Sequence, residues 1–327
     1  MNRMCRTLLL SIVFVFVLAS TVNAFDIRKD LRKGLNTLNA KRDDPTLCII
    51  TDATYVRING KTTESFVDII REETGCTVGQ ANLLFFHRPI NYPLKVAMFR
   101  GDTGRCVVIR YDEKQNLSKE YNLGLEAVTN PEFWIELSPP LGPDTFTVLS
   151  IAHAWAAGVP YDLIKSAEFH GHLCPAIAAG HVIAQYIINK YPLKKGEFYT
   201  WIASPPWCKE EAIQVLLHLT PGKKSLYAKG MTASQKEALT FENPAGILLI
   251  SGEDKTKTKG VVFSFDWDRV RQEDKLKMAL EMIPYLARPE ELVKVVKETQ
   301  VTLEVIEKLT MAETNPYKWL GLTQEGP

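Results

Sequence analysis

The sequence predicts an α+β protein with two similar halves, each made of helices packed on a mixed sheet. Helix-period apolar runs alternate with short strand-like runs through most of the 327 residues. The segment 75–83, a helix end followed by a strand, is similar to the segment 218–226, although chance similarity of two such units is the alternative. The composition, 46% hydrophobic and 24% charged, is that of a globular protein with room for about two domains.

Residues 1–24 are expected to form a secretory signal outside the fold. Two arginines precede an apolar run at 8–18, and Val22 and Ala24 occupy the −3 and −1 positions of a signal-peptidase site. An uncleaved anchor is the alternative, but the run is short for a membrane span. We therefore expect export to the periplasm or the extracellular space, cleavage after Ala24, and no membrane association afterwards.

The expected elements of the first half, 25–130, combine two helices with a sheet. They are a helix at 25–42 with leucines on one face, a buried strand at 46–51, a helix from Thr62 that Gly75 ends, and strands at 81–86, 94–99 and 106–111. A proline-rich connection at 131–143 and a helix at 145–157 then form a connector, 131–160.

The second half, 161–266, repeats this mixture. Its expected elements are helices at 161–167, 174–191 and 209–219 and strands at 197–203, 225–228, 246–251 and 260–265. The C-terminal region, 267–327, is expected to form two charged, solvated helices broken at Arg288 and Pro289.

Charge and cysteine content narrow the classes of partner. Lys+Arg is 39 and Asp+Glu is 38, so the net charge of +1 provides no field for nucleic acid. Cys5 leaves with the signal. The remaining cysteines are Cys48, Cys76, Cys106, Cys174 and Cys208. Because their number is odd, at least one of them in a monomer is a free thiol or a metal ligand.

Two imidazoles and a thiol crowd into the segment 169–175, Phe-His-Gly-His-Leu-Cys-Pro. Zinc and related transition metals prefer these donors. Alternate side chains of an extended chain share a face, so His170, His172 and Cys174 can converge on one ion, with Gly171 allowing a bend. Pro175 suits the first turn of a helix, which places Cys174 at the helix N-terminus. The alternative is a buried turn with an inert thiol.

Cys208 is the second candidate, because it opens the helix at 209–219. A buried small residue is the competing interpretation. Cys76, at a helix–strand junction of the first half, either completes a site between the halves or simply packs. His181 lies two turns after Cys174 and is interpreted as a core or supporting histidine.

These motifs together resemble the formylmethanofuran dehydrogenase E-like (FmdE) family. The resemblance covers about 161–250, through the His-Gly-His-x-Cys-Pro segment, Cys208 with the helix after it, and the run Thr-Pro-Gly-Lys-Lys-Ser-Leu at 220–226. The first half, with Gly75-Cys76-Thr77, looks like a degenerate second copy.

The resemblance implies an α+β fold, frequently dimeric, and a metal, most often zinc, held by His170, His172, Cys174 and Cys208. Cys76 is a possible additional ligand. Because the halves carry complementary parts of the motif, we expect a fused pseudo-dimer with one site between them, which can also form a homodimer. An export signal and the lack of an iron–sulfur cysteine run argue against membership of the dehydrogenase complex itself.

Two functional hypotheses follow. The first is an exported protein that binds, carries or senses zinc, another divalent transition metal or a metal-containing cofactor. The second is a metal- or thiol-dependent enzyme acting on a small molecule, with an open coordination position. The first is favoured because the sequence shows no evident general base or oxyanion hole.

Overall fold

The α+β class is confirmed by the computed structural model. It describes residues 26–112, 116–124, 126, 130–203, 205–228, 243–252 and 258–266, together with the backbone of 296–301. Within these ranges, helices flank two five-stranded mixed sheets, and a two-stranded ribbon is set apart. The proposed signal, 1–24, lies outside the described residues, and no described helix is long and apolar enough to cross a bilayer.

The described helices are α1 (Ile27–Leu38), α2 (Glu64–Thr74), α3 (Pro131–Leu141), α4 (Thr145–Ala156), α5 (Tyr161–His170), α6 (Pro175–Lys190) and α7 (Lys209–Leu217). The strands of the first sheet are β1 (Leu47–Thr51), β4 (Leu83–Phe85), β5 (Leu94–Arg100), β6 (Arg105–Tyr111) and β7 (Asn116–Asn122). Those of the second are β8 (Phe198–Ala203), β9 (Leu226–Ala228), β10 (Pro244–Ser251), β11 (Lys259–Phe265) and β12 (Val296–Val301), and β2 (Arg57–Ile58) with β3 (Lys61–Thr62) forms the ribbon.

The two sheets have the same strand order. The first runs β4-β1-β5-β6-β7, with β1 parallel to β4 and antiparallel to β5. The second contains β9-β8-β10-β11-β12, with β8 parallel to β9 and antiparallel to β10. In each sheet one helix, α2 or α7, connects the parallel pair.

The turns after α2 and α7 also share their hydrogen bonds. Gly75 and His218 both end a helix in the left-handed conformation. Thr77 Oγ1 accepts a hydrogen bond from Gln80 N at 3.1 Å. Thr220 Oγ1 accepts one from Lys223 N at the same distance. The two segments whose sequences are similar therefore adopt the same local structure.

The hydrophobic core has two main layers. Helices α1 and α2 pack on one face of the first sheet, where Leu31 and Leu38 belong to the same buried cluster as strand residues such as Met98. The opposite face joins α3–α6 and the second sheet in one larger cluster, which includes Phe99 and Trp201. The helices α4–α6 thus share one core with both sheets, and the motif at 169–175 lies among these helices.

The predicted connection at 131–143 is wrong, because 131–141 forms the helix α3. Asn130 caps it by accepting a hydrogen bond from Glu132 N at 2.9 Å, and Pro131 occupies the first turn, where its missing N–H costs nothing. Two further prolines fall in the last turn. Burial of Leu137 and Leu141 in the core favours the helix despite them.

The C-terminal helix prediction is wrong for Val296–Val301, which forms β12 and pairs antiparallel with β11. Pairing with an apolar neighbouring strand overrides local propensity here. Residues 267–295 and 302–327 lie outside the described residues. The strand β7 and the β2–β3 ribbon were not predicted, whereas the other strands and helices predicted within the described residues are present, with ends shifted by a few residues.

Helices α6 and α7 approach each other closely at Gly180. A Cβ atom at this position would overlap the carbonyl oxygen of Lys209 and lie 2.8 Å from its carbonyl carbon. Because Lys209 is the first residue of α7, this approach places the start of α7 against α6. It brings the N-cap residues of the two helices, Cys174 and Cys208, into one region.

We predict that Gly180→Ala destabilises the protein by about 2 kcal/mol or more, because the new methyl group overlaps backbone that cannot move without separating the helices. Urea unfolding measures the change. Gly222→Ala is the control, since its Cβ would have no neighbour closer than 4.0 Å. Equal stability of the two variants would contradict the close approach.

Candidate functional site

The motif folds as a helix–turn–helix corner. His170 is the last residue of α5, and Gly171 ends that helix with φ of +94°, a conformation that favours glycine. Cys174 is the N-cap of α6, and Pro175 stands in the first turn, as predicted. The expectation of an extended run is wrong, because His170 is still helical. The bend at Gly171 turns the chain back, so the side chains converge nevertheless.

Three donor side chains meet at this corner. One ligand atom each from His170, His172 and Cys174 lies within 4.8 Å of the others, and no second group of this kind occurs among the described residues. The two imidazole rings are 4.4 Å apart, centroid to centroid. The His170 Nε2 atom is buried and has no hydrogen-bond partner. A buried nitrogen without a partner is costly, so a missing partner is expected there.

Cys208 adjoins this group, as the N-cap of α7. Its thiol lies close enough to Cys174 and His170 to shift the pKa values of both. It lies outside the compact group of three. The structure thus places all four sequence-predicted residues in one region, with Cys208 at its edge.

Glu211 is a site residue that the sequence analysis did not assign. Its Oε1 lies 3.8 Å from His170 Nδ1, and its Oε2 is buried without a hydrogen-bond partner. The sequence does carry a signal for it, because Glu211 lies three residues after Cys208 in α7, and residues at this spacing share a helix face.

The two histidines respond in opposite ways to their surroundings. Burial lowers the pKa of His170, but the Glu211 carboxylate, 3.8 Å away, and the negative charge of Cys208 outweigh burial and leave the pKa raised. Burial, followed by the positive charges of His170 and Arg88, lowers the pKa of His172 to about 4. His172 is therefore neutral at physiological pH, the form in which imidazole binds a metal.

The pKa values of the two thiols are shifted in opposite directions. The neighbouring Cys174 thiol lowers the pKa of Cys208 to about 6, against the opposing effect of burial. The neighbouring Cys208 thiol, together with burial, raises the pKa of Cys174 strongly. At neutral pH the metal-free site therefore holds one thiolate, on Cys208.

The first half contributes Arg88 to the rim of this site. Arg88 follows β4, and its Nη1 lies 3.0 Å from the position that a Cβ atom would occupy on Gly171. Nearby, Phe85 N donates a hydrogen bond of 2.9 Å to Glu168 in α5. The candidate donors all belong to the second half, and the first half supplies a cation beside them.

Cys76 lies elsewhere. It is 1% exposed, belongs to the core between α1, α2 and the first sheet, and its thiol donates to the Leu47 carbonyl at 3.6 Å. Burial raises its pKa to about 11. His181 is 2% exposed and lies 3.0 Å from Asp162 Oδ1, within the core. No disulfide joins the described cysteines.

We predict that iodoacetamide alkylates Cys208 first in the metal-free protein, because it is partly exposed and its pKa of about 6 makes it a thiolate at pH 7. The rate rises with pH through this value and then levels off. Mass spectrometry of peptides locates the label. Cys208→Ser should lose the fast reaction, and initial labelling of Cys48 or Cys106, both 0% exposed, would contradict this assignment.

Comparison with known proteins finds one family model that matches the part of the chain containing the motif. No curated protein is similar enough to the chain to serve as a relative. Residues 169–309 match the family model described as FmdE, molybdenum formylmethanofuran dehydrogenase operon. The match starts at the Phe-His-Gly-His segment and includes Cys208 and Glu211, so the candidate donors lie within the part of the chain that is similar to the FmdE family.

Proposed function

We propose that this protein binds zinc or a related divalent transition metal through His170, His172 and Cys174, with Cys208 as the fourth ligand. The observation that carries the proposal is the convergence of two imidazoles and a thiol within 4.8 Å, one of them with a buried, unpartnered Nε2. Its role is to bind, carry or sense the metal or a metal-containing cofactor. The FmdE match over residues 169–309 supports this interpretation.

The donor set fits such an ion chemically. Zinc binds His nitrogen at about 2.0 Å and Cys sulfur at about 2.3 Å, so its tetrahedral ligands lie about 3.3–3.8 Å apart. The observed spread of up to 4.8 Å requires only small side-chain rotations to reach this. Deprotonation of Cys174 and Cys208 supplies two negative charges that match a divalent ion. Glu211 Oε1 lies 3.8 Å from His170 Nδ1, beside the ring that it would orient once a metal is bound, as carboxylates commonly do for ligand histidines.

A metal-dependent enzyme is the second candidate function. It is favoured by the position of Cys208 at the edge of the donor group and by the unpartnered Oε2 of Glu211. If Cys208 does not bind the ion, the remaining three ligands leave an open position where a bound metal would polarise a substrate or water. Glu211 is then suited to hold or accept a proton beside that position.

We further propose that the chain is a fused pseudo-dimer whose first half has lost the donors, and that it can form a homodimer. The shared strand order of the two sheets and the matching turns at Thr77 and Thr220 support a duplicated unit. Ser65, at the position equivalent to Cys208 when the turns are aligned, lacks a thiol. The domain boundaries given above are part of this proposal.

We predict that the exported protein begins at Phe25, because signal peptidase cuts after small residues such as Ala24. N-terminal sequencing of protein recovered from the periplasm or the medium tests this. Recovery of a chain that retains residues 1–24 in the membrane fraction would instead support the uncleaved anchor.

We predict that Cys174→Ser and His172→Ala weaken metal binding by more than roughly 100-fold, since loss of even an outer-shell partner costs about 10- to 100-fold. Elemental analysis and competition with a chelator measure metal content and affinity. Cys106→Ala is the matched control, because Cys106 is buried in the core, remote from the motif in sequence, and should keep full metal content. Equal metal in the wild type and Cys174→Ser would end the proposal.

A further inference from the structure

Arg88 reaches from the first half to the corner where the candidate ligands meet. Its Nη1 abuts the residue between His170 and His172, and a side chain larger than glycine at 171 would contact the guanidinium at 3.0 Å. The Arg88 side chain keeps 16% of its surface exposed, so it is accessible from solvent. A fixed positive charge therefore lies at the edge of the proposed metal site.

Three hydrogen bonds hold this guanidinium in place. Its Nε donates to Asp144, and its Nη2 donates to Thr147 Oγ1 at 2.6 Å. Its Nη1 donates to the His87 carbonyl, also at 2.6 Å. A guanidinium has five N–H donors, so two remain without a partner among the described residues. An arginine held on one side, with free donors on the other, is prepared to receive an oxyanion.

The buried charges behind Arg88 leave it with positive character. Asp144 is fully buried and shared between Arg88 and Lys95 Nζ, which lies 2.5 Å from its second oxygen. The other buried carboxyl group of this cluster, Asp52, accepts from the Lys95 backbone N–H at 2.7 Å. Burial raises the pKa of Asp52 to about 7. Arg88 and Lys95 thus share the carboxylate of Asp144, and the Asp52 carboxyl group is only partly ionised at neutral pH, so the two cations are not fully neutralised.

We propose that Arg88 binds the oxyanion of a ligand seated at the His170, His172 and Cys174 site, and that this ligand is a small carboxylate or phosphate compound. The inference rests on the proposed function, because the ion supplies the second positive group. A ligand that spans the ion and Arg88 explains why the first half, which lacks donors of its own, extends a cation to this corner.

Oxyanion titration of the cobalt-loaded protein tests the inference. Cobalt(II) substitutes for zinc and reports its ligands through visible absorption. Acetate and inorganic phosphate are titrated separately, so the carboxylate and phosphate classes are distinguished, with acetamide as the neutral control. We expect a saturable spectral change with one of the two anions. Arg88→Met should weaken that anion's binding roughly 10- to 100-fold without lowering cobalt content.

Two matched variants separate binding from folding. Arg105→Met removes another ion-paired arginine of the first half, one that binds Glu120 away from the motif, and should leave anion affinity unchanged. If Arg88→Met does not fold, Arg88→Lys keeps the buried charge but offers a single donor group, and should still lose affinity.

The outcomes distinguish the two proposals. Loss of cobalt from the wild type overturns the proposed function. Full cobalt content without a response to either anion, or with equal anion affinity in the wild type and the Arg88 variant, overturns only the oxyanion inference.

Discussion

The close packing of α6 on α7 at Gly180 is the constraint on which the candidate site depends. Glycine at this position lets the backbone of Lys209 touch α6, so the N-cap thiols of the two helices adjoin. Lys209 is itself buried, and its Nζ donates to the Pro205 carbonyl at 2.6 Å. Glu210 accepts from Trp207 N at 2.7 Å. The loop before α7 is thereby held, and with it Cys208.

A second constraint joins the first half to the connector through buried charge. Asp144, at the start of α4, binds both Arg88 and Lys95 of the first half. Buried ion pairs are expensive to desolvate and contribute little net stability, but removing one partner leaves an uncompensated charge. Such a network favours a single arrangement of α4 against the first sheet. It also explains how a guanidinium beside the motif keeps a fixed position.

The sequence predicted most of the secondary structure, because apolar periodicity is a local property. It failed where tertiary contacts overrode local signals: α3 forms despite its prolines because two leucines enter the core, and Val296–Val301 forms a strand because β11 offers an edge. It also placed the two thiols, Cys174 and Cys208, correctly at helix N-termini, but it did not predict how the histidines converge with them. His170 belongs to a helix, and the left-handed Gly171 then turns the chain. The side chains therefore converge through this turn and not through an extended run.

The sequence by itself determined the chemical character of the site: two imidazoles and a thiol within five residues, followed by a proline that starts a helix. Only the tertiary structure decided that Cys208, Glu211 and Arg88 join them and that Cys76 remains in a separate core. The physical reason is the separation of these residues along the chain. Residues a few positions apart are brought together by backbone geometry, whereas residues on different helices and sheets meet only where packing, glycine contacts and buried ion pairs bring their elements together.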